Sequence, residues 1–155
     1  SRIDGFVSHL LVFMPVKVID IRPLISKHPN LTFLQSDATN LSEIENNSIA
    51  SLSTLHAAEH FGLGRYGDPL DPNGDIDTMK TIHNNLVENG LVIWGAPVGK
   101  DALSWNAHRV YGPIRLPLMF NKFRELKWYG LTKEKLFSAP VCKNSYQPVI
   151  VLQKK

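Results

Sequence analysis

Four short apolar runs, separated by segments with helical spacing, constrain the fold of this chain more than any other feature. The runs are residues 16–20, 31–35, 48–55 and 91–96. Each is short and rich in Val, Ile or Leu, as strands of a buried sheet are. Strands that alternate with helices form βαβ units, and their strands pair in parallel beneath helices on both faces. We therefore predict an α/β fold with a mostly parallel sheet.

The remaining segments complete this prediction. Apolar residues recur at helical spacing over residues 6–13 and 75–87, with Pro15 and the pair Asn89 and Gly90 as stops. Residues 62–73 are rich in Gly, Pro and Asp and therefore predict a loop. The other predicted segments are short helical pieces over residues 106–123 and two closing strands at residues 123–131 and 148–152.

Composition limits the class of protein. The 155 residues, 43% of them hydrophobic, fit a single domain over residues 1–155. The net charge of +3 is scattered along the chain and gives no strong nucleic-acid signal. The longest apolar run, residues 9–16, is much shorter than the roughly 20 residues of a membrane span. A single cysteine, Cys142, excludes an intrachain disulfide and favours a reducing, cytoplasmic compartment.

The stretch LHAAEHFG, residues 55–62, contains the pattern H-x-x-E-H at His56, Glu59 and His60. On a long helix this pattern binds zinc through the two histidines, and the carboxylate activates water. Here a strand-like run ends at Leu55 and a glycine-rich loop begins at Gly62, so the long helix that the motif needs is not expected. We predict no metal at these residues, and a zinc hydrolase is the least favoured function for this chain.

Polar residues collect where the predicted strands end. Asp20 ends the first run, Asp37 follows the second, and the histidine-glutamate cluster of residues 56–60 follows the third. In open parallel sheets, ligands bind beyond the carboxyl ends of the strands. The sequence therefore predicts a binding site at this edge of the sheet.

The strand-bearing segments resemble a known fold family. In order and spacing, VKVIDI, LTFLQSDATNL, SIASLSTLHAAEHFG and LVENGLVIWGAPVG resemble the second to fifth strands of class I S-adenosylmethionine-dependent methyltransferases. More narrowly, SRIDGFVSHLL, HAAEHFGLGRYGDPLDP and NAHRVYG resemble a methyltransferase-like family of unknown function known from nematode and bacterial proteins. The resemblance implies a Rossmann-like sheet of the class I methyltransferase type that lacks the first strand of the family pattern, so we expect the domain of residues 1–155 to be incomplete at its N-terminal end.

The resemblance also implies a site for S-adenosylmethionine. The acid that accepts hydrogen bonds from the ribose falls on Asp20, and the residue that meets the adenine amine falls on Asp37. Ser36 and Ala38 flank Asp37, and Gly5 falls at the tail of the glycine-rich turn that approaches the methionine moiety.

Catalytic and acceptor-binding residues are expected on the other side of this cofactor. His56, Glu59 and His60 are candidate proton acceptors, because histidine and glutamate in a cleft are natural general bases. The long loop and the segment after the fourth strand supply the candidate substrate-binding residues, which are Arg65, Tyr66, Asp68, Asn106, His108, Arg109 and Tyr111.

Three functions follow from these residues. The first is methyl transfer from S-adenosylmethionine to a small-molecule or saccharide-like acceptor. The second is a non-catalytic methyltransferase-like binding or scaffold domain, which the lack of a first strand favours. The third is the zinc hydrolase. The unpaired sheet position also leads us to expect a homodimer in which two chains associate along it.

Overall fold

The structure is a computed structural model that describes residues 3–138 and 146–155. Its elements, in chain order, are α1 (Gly5–Phe13), β1 (Val16–Asp20), β2 (Leu31–Gln35), β3 (Ile49–Leu55), α2 (Gly74–Asn85), β4 (Leu86–Gly95), β5 (Ala102–Ser104), β6 (His108–Val110), α3 (Arg115–Phe120), β7 (Phe123–Tyr129), α4 (Lys133–Ser138) and β8 (Val149–Lys154). A 3-10 helix, Ala58–His60, follows β3. Cys142 lies outside the described residues.

The main sheet has the order β3-β4-β8-β7, with β3 and β4 parallel and β8 antiparallel to both of its neighbours. The strands β1 and β2 form a separate parallel pair. A small antiparallel hairpin, β5 and β6, stands beyond β4. The parallel pairs β1–β2 and β3–β4 agree with the parallel pairing expected from the alternation of strands and helices, and the antiparallel pairs come from the closing strands and from the β5–β6 hairpin.

The core is centred on β4, where Leu86, Val92 and Trp94 are fully buried, whereas Leu91 and Ile93 are partly buried. Trp94 is fully buried and packs edge-on against Tyr111 and Phe120. A smaller cluster of buried residues, Val7, Leu11 and Val18, joins α1 to β1. Within the described part of the chain, no helix is long and apolar enough to cross a membrane.

Most predicted elements agree with the structure to within a few residues, but the helix predicted over residues 75–87 is wrong at its end. The helix α2 stops at Asn85, and β4 begins directly at Leu86. Asn89 and Gly90 therefore lie inside a strand, where the pairing with β3 shifts register. Asn89 takes a positive φ of 60°, so the predicted helix stop is a bulge in β4.

Residues 106–123 also differ from the prediction of short helical pieces alone. The segment starts in a hairpin, β5 and β6, and only then forms α3. The helix α3 tolerates Pro117 because that residue lies in its first turn, where a backbone N–H is not needed. Of the three tryptophans, Trp105 in this hairpin is 67% exposed, in contrast to buried Trp94.

Candidate active site

A cleft of about 880 Å³ separates the β1–β2 pair from the main sheet, and we call it the central cleft. It is lined by β1, by β3, by α1 and by residues that follow β2 and β3. The carboxyl ends of β1 and β3 open at the same end of the cleft, since the guanidinium of Arg22, just after β1, lies 5.7 Å from the ring of Tyr66, beyond β3. The predicted site at the carboxyl ends of the strands therefore coincides with this end of the cleft.

Seven of the sequence-predicted site residues line the cleft: Asp20, Asp37, Ala38, His56, His60, Tyr66 and Asp68. The structure thus brings together residues that are up to 48 positions apart in the chain. The other predicted residues, Gly5, Ser36, Glu59, Arg65, Asn106, His108, Arg109 and Tyr111, lie outside the cleft wall.

Asp20 ends β1 and is only 6% exposed. Its carboxylate is bound by Arg22 through both oxygens: the backbone N–H and the Nε of Arg22 donate to Oδ1, at 3.0 Å each, and Nη2 donates to Oδ2 at 2.9 Å. The Arg22 side chain is half exposed, whereas that of Asp20 is buried. Arg22 therefore covers the buried acid and forms the solvent-facing side of this part of the cleft.

Asp37 and Ala38 lie across the cleft end, on the turn that follows β2. The Oδ1 of Asp37 accepts a hydrogen bond from the backbone N–H of Thr39 at 2.8 Å, which fixes the turn. Ser36 contributes a backbone N–H to the carbonyl of Asp20 at 3.3 Å and continues the pairing of β1 and β2. Gly5 is the first residue of α1, after the N-cap Asp4.

His56 and Glu59 form a pair at the end of β3. The Nδ1 of His56 lies 3.2 Å from Oε1 of Glu59, whose side chain is buried while the imidazole is half exposed. His56 takes a positive φ of 54°, which turns the chain sharply and directs the imidazole back toward Glu59. Within the described residues, Oε2 of Glu59 has no hydrogen-bond partner. A carboxylate that holds Nδ1 leaves the second ring nitrogen, Nε2, for a ligand.

His60 is held on the other side of Glu59. Its Nδ1 lies 2.6 Å from the carbonyl of Ala107, and its Nε2 lies 3.9 Å from Oε1 of Glu59. Arg65 donates to the same carbonyl through Nη1 at 2.9 Å. The ring of Tyr66 packs edge-on against His60 at 5.6 Å, and its centroid lies 5.7 Å from the guanidinium of Arg22 and 5.6 Å from that of Arg65. These contacts tie the turn of the β5–β6 hairpin to the mouth of the cleft.

The H-x-x-E-H pattern does not form the helix of a zinc protease. Only residues 58–60 are helical, in a single 3-10 turn, and His56 precedes that turn with a left-handed backbone. Across residues 3–138 and 146–155, no group of three or more His, Cys, Asp or Glu side chains is arranged to hold a metal ion.

Asp68 organises the loop of residues 62–73. Its carboxylate accepts backbone hydrogen bonds from Gly62 at 2.8 Å and from Gly64 and Tyr66 at 3.2 Å. Partial burial raises the pKa of Asp68, but the backbone donors outweigh it, and the net pKa lies below the ordinary value. The carboxylate thus holds the glycine-rich loop, and with it Tyr66, against the cleft.

We expect Asp68→Ala to release this loop. Loss of a charged acceptor of three backbone N–H groups should speed proteolytic cleavage within residues 62–73 by at least about tenfold. Asp71→Ala is the matched control, because Asp71 accepts only one such bond in the loop, from Asn73. In the unsubstituted chain the loop should stay ordered above the ordinary aspartate pKa of about 3.9 and open as the pH falls through the lowered value. Equal cleavage of the two variants would contradict this role.

Next to the loop of residues 62–73 lies a buried ionic network that we did not predict from the sequence. Asp75, at the start of α2, is fully buried and binds three side chains: Arg115 at 2.9 Å through Nε, the hydroxyl of Tyr111 at 3.0 Å and Arg109 at 3.6 Å. Burial raises the pKa of Tyr111 well above its ordinary value, and the charge of Asp75 adds to that rise. The hydrogen bond to Asp75 likewise raises the pKa of Arg115.

This network changes the roles of two predicted substrate-binding residues. Arg109 donates to the backbone carbonyls of Phe61, Asp71 and Pro72, at both ends of the loop. Tyr111 is fully buried. Neither residue lines the cleft: Arg109 holds the backbone of the loop, and Tyr111 binds Asp75 beside it. The sequence does show an acid, Asp75, at the start of a predicted helix and two arginines, Arg109 and Arg115, later in the chain. Their spacing gives no reason to expect that they pair with the acid.

The two remaining candidates lie on the hairpin. Asn106 is exposed in its turn, and His108 is half-buried at the start of β6.

Solved structures of similar fold support the class I methyltransferase type. The chain is similar to the (4+2)-cyclase SpnF, with a TM-score of 0.65 at 10% identity over 97% of this chain and 71% of that one. It is similar to the Burkholderia thailandensis 1,6-didemethyltoxoflavin-N1-methyltransferase, whose structure contains S-adenosylhomocysteine, with a TM-score of 0.67 at 12% identity over 97% of this chain and 65% of that one.

A third similar structure is a SAM-dependent methyltransferase from Methanosarcina mazei, with a TM-score of 0.66 at 12% identity over 96% of this chain and 86% of that one. The predicted fold class, a Rossmann-like α/β fold of the class I methyltransferase type, is thereby confirmed. At these identities the likeness concerns the fold, and the site must be argued from its own residues.

Among curated proteins, none matches this chain in sequence. One family profile matches residues 32–153, which is most of the chain and includes every residue of the cleft from Asp37 onward. The chain belongs to the family described as Caenorhabditis protein of unknown function, DUF268.

Proposed function

We propose that this chain is the methyl-transferring domain of an S-adenosylmethionine-dependent enzyme that acts on a small hydroxylated acceptor. One observation supports the proposal: a single cleft is lined by two acids, Asp20 and Asp37, and by His56, whose ring is held from outside the cleft wall by Glu59. A ribose and an adenine bound to the two acids would share the cleft with a group that accepts a proton.

The residues at the carboxyl end of β1 fit the adenosyl half of the cofactor. A buried carboxylate suits the vicinal hydroxyls of a ribose, and Asp37 suits the adenine amine, since both acids accept hydrogen bonds when ionised. The hydroxyl of Thr54, buried in the cleft wall, has no partner within the described residues and is available to a polar ligand. The cleft volume also lies within the range of ordinary ligand pockets.

Arg22 must yield part of its hold on Asp20 when a ribose binds. Its fork to the carboxylate uses both oxygens, but its side chain is half exposed, and its guanidinium already lies 5.7 Å from the ring of Tyr66.

The acceptor side of the cleft is supplied by the end of β3 and the loop. When bound, S-adenosylmethionine supplies an electrophilic methyl group. Glu59 accepts the Nδ1 proton of His56 and orients the ring, so Nε2 takes the proton that an acceptor hydroxyl loses. Tyr66, on the cleft wall, provides an aromatic face for the ring of a saccharide-like acceptor. Asp68 and Arg109 keep that loop in place.

A non-catalytic binding domain is the second candidate, and the Arg22 fork is the observation that favours it. If Arg22 holds Asp20 permanently, the acid is a structural ion pair and the cleft has no ribose site. Arg22→Ala separates the two candidates: a cofactor site should bind equally well or more tightly without the fork, whereas a structural pair should only lose stability.

The test is calorimetric titration of the chain with S-adenosylhomocysteine and S-adenosylmethionine. We expect binding that Asp20→Ala and Asp20→Asn weaken by at least about tenfold, the value of a charge-assisted hydrogen bond. Asp77→Ala is the matched control, because Asp77 is an exposed acid on α2 with only a surface ion pair to Lys80. A folded chain that binds neither compound, or variants that bind as well as the unsubstituted chain, would contradict the proposal.

A further inference from the structure

The turn of the β5–β6 hairpin carries an exposed tryptophan beside the mouth of the central cleft. The backbone N–H of Ala107 donates to the carbonyl of Ser104 at 2.6 Å, so Trp105 and Asn106 are the two central residues of this turn. The side chain of Trp105 is 67% exposed. Tryptophan is enriched at binding surfaces, where its apolar ring and its N–H group both find partners.

The turn and the cleft meet at one backbone carbonyl. The carbonyl of Ala107 lies 2.6 Å from Nδ1 of His60, which lines the cleft, and accepts a hydrogen bond from Arg65 at 2.9 Å. The guanidinium of Arg65 also lies 5.6 Å from the ring of Tyr66, which lines the cleft and is 47% exposed. Two residues of chain span at most about 7 Å, so Trp105 lies next to this end of the cleft.

The hairpin and the loop that bears Tyr66 are fixed to each other. Arg109, on β6, is buried, and its guanidinium donates to the carbonyls of Phe61 and Asp71, at the two ends of the loop. Trp105 and Tyr66 are therefore held on two segments that are already joined before a ligand binds. Such preorganisation lowers the entropy that a ligand must lose to contact both rings.

The groups around Trp105 suit a ligand rich in hydroxyls. Ser104 and Asn106, on either side of it, are exposed and neutral, and each can donate and accept hydrogen bonds. Arg65 is also exposed and adds further N–H donors. A sugar ring carries C–H groups on its faces and hydroxyls around its rim. An aromatic face flanked by neutral hydrogen-bonding groups therefore complements a sugar.

A single-stranded nucleic acid is the competing ligand, because its bases also stack on aromatic side chains. Such a ligand needs a basic groove that follows its phosphates. Residues 102–108 contain neither Lys nor Arg. Arg109, which follows them, is buried 3.6 Å from the carboxylate of Asp75. The hairpin turn therefore favours a neutral saccharide.

We propose that Tyr66 and Trp105 are two stacking positions for an oligosaccharide acceptor, with one sugar on Tyr66 at the cleft mouth and a neighbouring sugar on Trp105. The inference rests on the proposed function, because the sugar on Tyr66 is the one that offers a hydroxyl to His56. It narrows the acceptor to a sugar chain of two or more units.

The dependence of binding on saccharide length tests this proposal. The nitrogen-15-labelled chain is titrated with tetrasaccharides of glucose, of N-acetylglucosamine and of mannose, and with the three monosaccharides. The three tryptophans give three indole N–H signals, and the signal that Trp105→Phe removes is that of Trp105. We expect at least one tetrasaccharide to shift this signal and to bind at least about tenfold more tightly than its monosaccharide.

Substitutions assign this preference to the hairpin. Trp105→Ala should abolish the tenfold preference and leave the affinity for the monosaccharide unchanged, whereas Trp105→Phe keeps an aromatic face and should retain part of it. Phe13→Ala is the matched control and should preserve the preference. Phe13 is an aromatic residue of similar exposure, 70%, and it lies at the end of α1 that leads into the amino end of β1.

Three results overturn the proposal: a Trp105 signal that no tetrasaccharide shifts, equal affinity for each tetrasaccharide and its monosaccharide, or tighter binding of a single-stranded thymidine oligonucleotide than of every tetrasaccharide. Titration of the same samples with S-adenosylhomocysteine separates this inference from the proposed function. Cofactor binding without a length preference overturns only the oligosaccharide acceptor, whereas a folded chain that binds no S-adenosylhomocysteine contradicts the cofactor site.

Discussion

His56→Ala is expected to lower methyl transfer by at least about 100-fold, the usual contribution of a positioned general base. The reason is the pair formed with Glu59: its buried carboxylate holds Nδ1 of His56, so the second ring nitrogen serves as the base. The measurement is release of S-adenosylhomocysteine in the presence of a panel of monosaccharides, disaccharides and phenols. Binding of S-adenosylmethionine itself should change little, because His56 acts on the acceptor.

Two further variants make this prediction specific. Glu59→Gln keeps the shape and an acceptor oxygen but removes the charge, so it should lower the rate less than His56→Ala. His9→Ala, on the exposed side of α1, is the matched control and should leave the rate unchanged. Equal rates for His9→Ala and His56→Ala would remove His56 from the mechanism.

Asp75→Ala is expected to cost about 3–5 kcal/mol of unfolding free energy, because it leaves buried cationic groups without their partner. Asp75 is fully buried, and Arg109 and Arg115 both contact its carboxylate. Urea unfolding measures the loss. The loop of residues 62–73 should also become more accessible to protease, since Arg109 binds carbonyls at both of its ends.

Controls distinguish this network from a general effect of helix charge. Asp77→Ala removes an acid from the same helix, but its pair with Lys80 is exposed, so the cost should stay below about 1 kcal/mol. Tyr111→Phe removes one buried hydrogen bond to Asp75 and should cost an intermediate amount, about 1–3 kcal/mol. If Asp75→Ala costs no more than Asp77→Ala, the network does not hold the loop.

The elements of the fold were largely predictable, because their signals are local. The strands of residues 16–20 and 31–35 agree with the structure at both ends, since Pro15 and the polar residues after each run mark the boundaries. The end of α2 was not predictable, because Asn89 and Gly90 read as a helix stop and pairing with β3 instead draws Leu86 into a strand. Tertiary pairing decided that boundary.

The site was predictable only where residues follow strand ends. Asp20, Asp37 and His56 come together because the carboxyl ends of parallel strands meet at one edge. Arg109 and Tyr111 were assigned to the substrate because they follow β4 in sequence, yet both face Asp75. No periodicity links residues that are more than 30 positions apart, so a buried ionic network of this kind emerges only from the folded structure.

Binding of the adenosyl group at the carboxyl end of the central cleft is best tested by a nitrogen-15 NMR titration of the labelled chain with S-adenosylhomocysteine. We expect amide shift changes concentrated at residues 20–22, 37–38 and 56–57, with residues of the distant strand β7 unchanged. Saturating changes elsewhere, or none in a folded chain, would overturn the proposed cofactor site.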